Sequence, residues 1–179
     1  MLQNCSIMNV AEIFFVEPTT KHYLIEISKK SKLAHTSVKK YLDTLKKDEI
    51  ILQQNEKKGK RNFPSFVANI NSQEYKAYKK MFNILSLHDS GLINFIRDKL
   101  TPRAIVVFGS YSLGEDIETS DIDIFIETKD HNINLEIFEK KLKRKIELHF
   151  NEKFNNYPVE LKNNILNGNV LYGYLEVFK

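Results

Sequence analysis

Two aspartates, one residue apart in an otherwise apolar run, have the residue types and spacing to do chemistry. Asp121 and Asp123 occur in the segment DIDIFIE, which predicts a β-strand over residues 121–127. Because side chains alternate along a strand, both carboxylates are expected on one face, with the isoleucines on the other. Neighbouring carboxylates repel each other unless a cation lies between them, and their oxygens suit Mg²⁺ and Mn²⁺. The pair therefore predicts a divalent metal site, the alternative being a chance Asp-x-Asp at the start of a strand.

A glycine and a serine precede the aspartates along the chain. Gly109 and Ser110 follow residues 104–108, which predict a buried strand. Glycine lets the backbone approach a ligand closely, and Ser110 offers a hydroxyl and a backbone N–H at the expected start of a short helix. These features predict a phosphate-binding turn beside the metal site.

A third carboxylate, Glu147, lies on another predicted strand, over residues 145–150, where apolar and polar residues alternate. We expect Glu147 to close the cation site and to accept a proton from an attacking hydroxyl. The competing interpretation is an exposed strand residue. His149 falls on the same face and could border the site, although a plain surface histidine is the favoured interpretation. Asp116, in the loop between the first two strands, is interpreted as solvated charge.

The spacing of these residues resembles a known signature. The chain has Gly109 and Ser110, then ten residues, then Asp121 and Asp123. This arrangement is similar to the signature of the nucleotidyltransferase superfamily that includes DNA polymerase beta, especially its minimal nucleotidyltransferases. The resemblance covers about residues 90–175, including the C-terminal stretch LKNNILNGNVLYGY. It implies a small mixed sheet flanked by helices, a nucleoside triphosphate substrate and release of pyrophosphate.

The resemblance also implies roles for individual residues. Two magnesium ions, with Mn²⁺ as an alternative, would be held by the catalytic carboxylates Asp121, Asp123 and Glu147. Gly109 and Ser110 would form the nucleotide-binding turn.

The turn departs from the family pattern in one respect. Many minimal members continue it as Gly-Ser-x-Ala-Arg-Gly, whereas this chain has GSYSLG, with Ser112 and Leu113 in the Ala and Arg places. Whatever that arginine does for efficiency or substrate choice is absent here. The metal-binding residues are unaffected.

The first part of the chain has a different pattern. Helices are predicted over residues 7–16, 23–33 and 34–47, followed by a β-hairpin over 50–70 with a basic tip around Gly59. This order resembles a winged helix-turn-helix, which implies that the third helix enters the major groove of DNA and the hairpin contacts phosphate. The candidate DNA-binding residues are Ser37, Lys39, Lys40, Lys57, Lys58, Lys60 and Arg61. The alternatives are a solvated basic face and a protein-docking or dimerisation module.

These patterns predict an α+β fold with a winged helix-turn-helix over residues 1–71, a connecting helix over 72–88 and a minimal nucleotidyltransferase domain over 89–179. The charge distribution agrees with two modules. Residues 1–100 carry 17 Lys and Arg against 10 Asp and Glu, whereas residues 101–179 carry 10 against 13. A basic module that meets nucleic acid and a module that holds a cation would produce this asymmetry.

Composition excludes several classes. The apolar runs are far shorter than the roughly 20 residues of a membrane span, so no transmembrane helix and no membrane partner is expected. The first residues lack a basic leader and a cleavage site, which predicts a cytoplasmic protein. Cys5 is alone and cannot form an intramolecular disulfide.

Three hypotheses for function remain. The first is a magnesium-dependent nucleotidyltransferase that transfers a nucleoside monophosphate, expected to be AMP, to a protein or nucleic-acid acceptor. Because similar minimal members are often antitoxins that adenylylate a HEPN-type toxin, such a partner is included. The second is a DNA-binding transcriptional regulator whose nucleotidyltransferase domain only binds nucleotide or a partner. The third is polynucleotide synthesis, which would demand more primer-binding surface than about 80 residues provide.

Overall fold

The computed structural model describes residues 5–58, 61–152, 154 and 157–176. The chain divides into two compact units, Met1–Lys79 and Lys80–Lys179, which are described separately. The division falls inside a long helix that the sequence assigns to the connection between modules. Within the described ranges, no helix combines the length and the apolar character needed to cross a membrane.

Three helices and a small antiparallel sheet form the N-terminal unit. In chain order the elements are α1 (Ser6–Val16), β1 (His22–Tyr23), α2 (Leu24–Ser31), α3 (His35–Lys47), β2 (Ile51–Lys58) and β3 (Arg61–Ala68), with strand order β1-β3-β2. The helices and the β2–β3 hairpin follow the predicted order. The two-residue strand β1 was not predicted, because two residues carry no periodic pattern.

The apolar stripe of α3 explains how that helix is held. Val38, Leu42 and Leu45 recur at helical spacing and are buried, together with Phe14 of α1 and Ile27 of α2. Burying such a side chain contributes about 1.5–3 kcal/mol each, which is more than helix propensity supplies. The opposite face of α3 is left to polar residues.

Helices and a four-stranded mixed sheet form the second unit. The elements are the end of α4 (Gln73–Ser90), α5 (Leu92–Leu100), β4 (Ala104–Phe108), α6 (Gly109–Leu113), β5 (Ile122–Ile126), α7 (Glu136–Leu142), β6 (Ile146–Phe150), α8 (Val159–Leu166) and β7 (Asn169–Gly173). The strand order is β6-β5-β4-β7, in which β5 and β6 are parallel and the other pairs antiparallel. The predicted mixed α+β architecture with a small sheet is confirmed.

Side-chain alternation divides the residues of β5 between two cores. Ile122, Ile124 and Ile126 pack in a core that includes Leu92 and Ile96 of α5. Phe125 packs on the other face in a second core, whose remaining members are Val106, Phe108, Phe154 and Ile165. Asp123 points to the same face as Phe125. It lies near the start of β5 and is only partly buried.

Several element boundaries differ from the prediction. Helix α4, expected to end at residue 88, continues to Ser90 and stops before Gly91, whose φ of +84° ends the helix. The C-terminal tail forms β7 beside β4, with Asn169 opposite Val107. Strand β7 is half exposed, so its sequence lacks the continuous apolar run of a buried strand.

Candidate active site

The register of three strands brings two carboxylates together. Asp123 on β5 lies opposite Phe108, the last residue of β4, and opposite Glu147 on β6. Neighbouring strands are about 4.8 Å apart and opposed residues point to the same face. The sequence separation of 24 residues between the two carboxylates is therefore closed by strand pairing.

An imidazole completes this group, which we name the Asp123 cluster: Asp123, Glu147 and His149. The Nε2 atom of His149 lies 3.4 Å from Oδ1 of Asp123 and 3.9 Å from Oε1 of Glu147. One ligand atom from each residue lies within 4.8 Å of the other two. The interpretation of His149 as a plain surface histidine is wrong, because only 22% of its side chain is exposed and its ring packs 5.1 Å from that of Phe108.

Gly109 forms a close approach to the cluster. It begins α6 with a φ of +71°, and a Cβ atom built there would lie 2.5 Å from Oδ2 of Asp123. The positive φ therefore favours glycine, and a Cβ at this position would force the Asp123 carboxylate to move. The hydroxyl of Ser112 donates to the carbonyl of Gly109 at 2.9 Å, and Asn169 donates to the carbonyl of Ser112 at 3.1 Å. Strand β7 thus helps to hold the turn that contains Ser110.

Asp121 has a different position. It immediately precedes β5, is exposed, and belongs to no group of three metal-ligating side chains among the described residues. It lines an open cleft of about 740 Å³ whose described lining does not include the Asp123 cluster. Basic and acidic residues share that cleft: Glu118, Glu136, Glu139, Lys140, Lys143, Arg144 and Lys145, with Thr119 and Ser120. The assignment of Asp121 as a ligand stays a prediction.

The chemistry of the donors fits a divalent cation. Two carboxylates and one imidazole converge, with their ligand atoms within 4.8 Å of one another. Two hard oxygen donors suit Mg²⁺ or Mn²⁺, and an imidazole is a common ligand of transition metals. Asp123, Glu147 and His149 would therefore hold the ion.

Comparison with known proteins gives one match. Residues 90–172 match the family model of the nucleotidyltransferase domain. This match supports the nucleotidyltransferase superfamily for that part of the chain, and transferase activity for the protein. Comparison with curated proteins and with solved structures found no match to this chain.

The turn after β4 is anchored by a buried polar network. The amide of Asn83 on α4 donates to the carbonyl of Tyr111 at 2.8 Å and to Oδ1 of Asp116 at 2.7 Å. Oδ2 of Asp116 pairs with Nη2 of Arg144 at 3.5 Å. The interpretation of Asp116 as solvated charge is wrong, because its side chain is 1% exposed and that of Arg144 is 5% exposed.

The same network affects a tyrosine in α6. Burial, and to a lesser degree the Asp116 carboxylate, raise the pKa of the Tyr111 hydroxyl well above its ordinary value. The phenol is therefore neutral at all physiological pH values. Tyr111 packs in the core below the turn, and its neutral ring contributes to the support of Gly109 and Ser110.

The candidate DNA-binding residues lie in the N-terminal unit, outside the region that matches the nucleotidyltransferase model. Lys39 and Lys40 on α3 are exposed, and Ser37 is half-buried. Lys57 and Lys58 lie on β2 and Arg61 on β3, with Lys58 opposite Arg61. Lys60 lies outside the described residues. Their role in DNA binding stays a prediction.

Proposed function

We propose that this chain is a divalent-metal-dependent nucleotidyltransferase that transfers a nucleoside monophosphate, AMP in the first instance, from a triphosphate to an acceptor hydroxyl. One observation carries the proposal. The donor atoms of the Asp123 cluster converge beside a glycine whose Cβ would collide with Asp123, inside the region that matches the nucleotidyltransferase domain. A site of this composition, next to a glycine turn, suits phosphate oxygens and a cation together.

The proposed roles follow from these positions. Gly109 and Ser110 bind the triphosphate, and Asp121, Asp123 and Glu147 hold Mg²⁺ as the resemblance implies. When bound, two magnesium ions would neutralise charge on the phosphates and on the leaving group. Asp121 is exposed and immediately precedes β5, so its carboxylate has room to turn toward a bound triphosphate.

The chemical step exchanges one P–O bond for another. The oxygen of the acceptor hydroxyl bonds to the α-phosphorus, and the bond from that phosphorus to the bridging oxygen of the β-phosphate breaks. Pyrophosphate leaves with the electron pair. Glu147 accepts the hydroxyl proton, and its side chain, 61% exposed, is open to an approaching acceptor.

The acceptor is proposed by resemblance. Minimal members similar to this chain imply a protein acceptor, and a HEPN-type toxin is the partner that such an antitoxin would modify. A nucleic-acid acceptor is the alternative within the same chemistry. Either acceptor uses the same hydroxyl attack, so the site residues are common to both.

A second function, DNA binding by a winged helix-turn-helix at residues 1–71, is supported by the basic exposed face of α3. Lys39 and Lys40 are exposed there, opposite the buried Val38 and Leu42. In an enzyme this module would direct the transferase to DNA. In the alternative regulator it would be the principal activity, and the nucleotidyltransferase domain would only bind nucleotide or a partner.

Incorporation of label tests the transferase. The full chain is incubated with each α-³²P-labelled nucleoside triphosphate, Mg²⁺ and a host lysate, and labelled macromolecules are separated. Asp123→Asn is expected to reduce labelling at least about a hundredfold, since losing even outer partners of a metal site typically costs 10–100-fold. Asp98→Asn, an exposed aspartate of α5 that lies outside the cluster, is the matched control and should label normally. Equal labelling by wild type and Asp123→Asn would contradict the proposal.

A further inference from the structure

We propose that His149 is a direct nitrogen ligand of the cation held by Asp123 and Glu147, and that it makes the site favour Mn²⁺ over Mg²⁺. The inference rests on the proposed function, because it concerns the same cation. It goes beyond what the sequence predicts, which is a site of three carboxylates that His149 at most borders.

The positions of the donor atoms support direct ligation. In an octahedral site with metal–ligand distances of about 2.1 Å, adjacent donor atoms lie about 3 Å apart. Nε2 of His149 is 3.4 Å from Oδ1 of Asp123 and 3.9 Å from Oε1 of Glu147. Small side-chain rotations would bring these three atoms to ligand spacing. In the described part of the chain, His149 is the side chain whose ligand atom converges with those of Asp123 and Glu147, so it can add a nitrogen donor to the cation that they hold.

The imidazole is held in this orientation by its surroundings. His149 lies on β6 opposite Phe125 of β5, and its ring packs on the ring of Phe108 at 5.1 Å. These aromatic side chains belong to the second core and are almost fully buried. The Nε2 atom is the ring nitrogen nearest the carboxylates. Little side-chain entropy is therefore lost when it binds an ion.

The preference for Mn²⁺ follows from ligand type. Mg²⁺ takes oxygen ligands almost exclusively, whereas imidazole suits transition metals, and Mn²⁺ also accepts carboxylates. A nitrogen in the third place therefore raises affinity for Mn²⁺ more than affinity for Mg²⁺. Zn²⁺ and other later transition metals would bind through the same nitrogen. The test of His149 compares Mn²⁺ with Mg²⁺, because both ions prefer octahedral coordination.

A second group of potential ligands must be separated from this one. Glu17, His22 and Glu26 in the N-terminal unit also converge within 4.8 Å. The ammonium of Lys30 lies 2.6 Å from Glu17 and 2.9 Å from Glu26, so a cation already balances these carboxylates. We therefore expect no Mn²⁺ at Glu17, His22 and Glu26.

Pulsed electron paramagnetic resonance of the full chain with less than one equivalent of Mn²⁺ tests the ligand. Wild type is expected to show modulation from a directly bound ¹⁴N. His149→Gln should remove this modulation, and Asp123→Asn should remove it too by abolishing binding. His131→Gln is the matched control, because His131 is exposed in the same unit and outside the cluster, and it should keep the modulation. A direct nitrogen signal that survives His149→Gln would overturn the proposal, as would its absence from Mn²⁺-loaded wild type.

Calorimetric titration tests the preference between metals. His149→Gln is expected to weaken Mn²⁺ binding by about tenfold or more and Mg²⁺ binding by less than about threefold. Equal weakening for both ions would overturn the preference. If wild type shows the nitrogen signal but transfers no label, the proposed function fails while the ligand assignment stands. If label is transferred but wild type shows no nitrogen signal, the ligand assignment fails while the proposed function stands.

Discussion

The backbone of Gly109 approaches the carboxylate of Asp123 so closely that a Cβ atom on residue 109 would lie 2.5 Å from Oδ2. Gly109 directly follows β4, and Asp123 lies on the antiparallel neighbour β5, opposite Phe108. Strand β4 therefore ends beside the carboxylate of Asp123. A phosphate bound at the glycine turn and a cation bound by Asp123 would be immediate neighbours.

Substitution of Gly109 by alanine should disable the site. Both Gly109 and Gly91 have positive φ, +71° and +84°, and alanine in that conformation costs about 1–2 kcal/mol in free energy of unfolding. A Cβ at Gly91 meets nothing within 4 Å, so Gly91→Ala is the matched control for backbone strain. We expect both variants to lose stability, measured by denaturant unfolding, but only Gly109→Ala to lose cation binding and label transfer. Equal activity in the two variants would show that the close approach does not matter.

Divalent cations should stabilise the wild-type chain. An ion that binds only the folded state adds about 2.7 kcal/mol at a concentration one hundred times its Kd. Asp123→Asn and Glu147→Gln should reduce the cation-induced rise in Tm. Glu152→Gln, an exposed acid just after β6 and outside the cluster, should retain it. Scanning calorimetry with Mg²⁺, Mn²⁺ or chelator measures the shift, and an undiminished shift in Asp123→Asn would locate the ion elsewhere.

Removal of Asp116 should destabilise the second unit strongly. The Asp116–Arg144 pair is almost fully buried, so Asp116→Ala leaves a buried guanidinium without its carboxylate. Breaking such a pair typically costs about 3–5 kcal/mol. Glu115→Ala, at the exposed neighbouring position, should cost about 0.5 kcal/mol or less. Denaturant unfolding compares them, and similar midpoints for the two variants would refute a structural role for the network.

The basic face of α3 should contribute to DNA binding through phosphate contacts. Each lost phosphate contact reduces the slope of log K against log salt by about 1. The double change Lys39→Glu and Lys40→Glu should therefore weaken binding and flatten the slope by about 2. Lys129→Glu, in the second unit, is the control. Fluorescence anisotropy with duplex DNA over a salt series measures both quantities, and parallel plots would remove α3 from the interface. Charge reversal at Lys58 and Lys60 applies the same test to the hairpin.

Much of the fold follows from local pattern. The continuous apolar run at residues 104–108 predicts β4 over the same residues that form it, and the stripe of Val38, Leu42 and Leu45 predicts α3. The glycine turn and Asp123 are equally visible, because a motif of fixed spacing lies within one supersecondary unit. Glu147 is outside that motif and is proposed from its face on a separate predicted strand and from the family resemblance, and the parallel register of β5 and β6 places it opposite Asp123.

The remaining features depend on contacts between distant segments. His149 joins the cluster because β6 pairs in register with β5. The alternation of polar and apolar residues along β6 shows on which face His149 lies, but not which residues that face contacts. Asp116 is buried by Asn83 and Arg144, residues 33 positions before and 28 positions after it. A loop aspartate with such partners has no local signal. Its basic partner, Arg144, lies two residues before β6, where the sequence gives no sign of the pairing.

The order of strands gives the cluster an asymmetric support. Asp123 lies on β5, which has a partner on each side, whereas Glu147 and His149 lie on β6, the outer strand of the sheet among the described residues. An ion shared by the two strands would act as a cross-link at the sheet margin, added to the backbone ladder. Amide hydrogen exchange over residues 146–150 should then slow when the ion binds. The exchange rate of this outer strand would therefore measure how much of the protein has bound the ion.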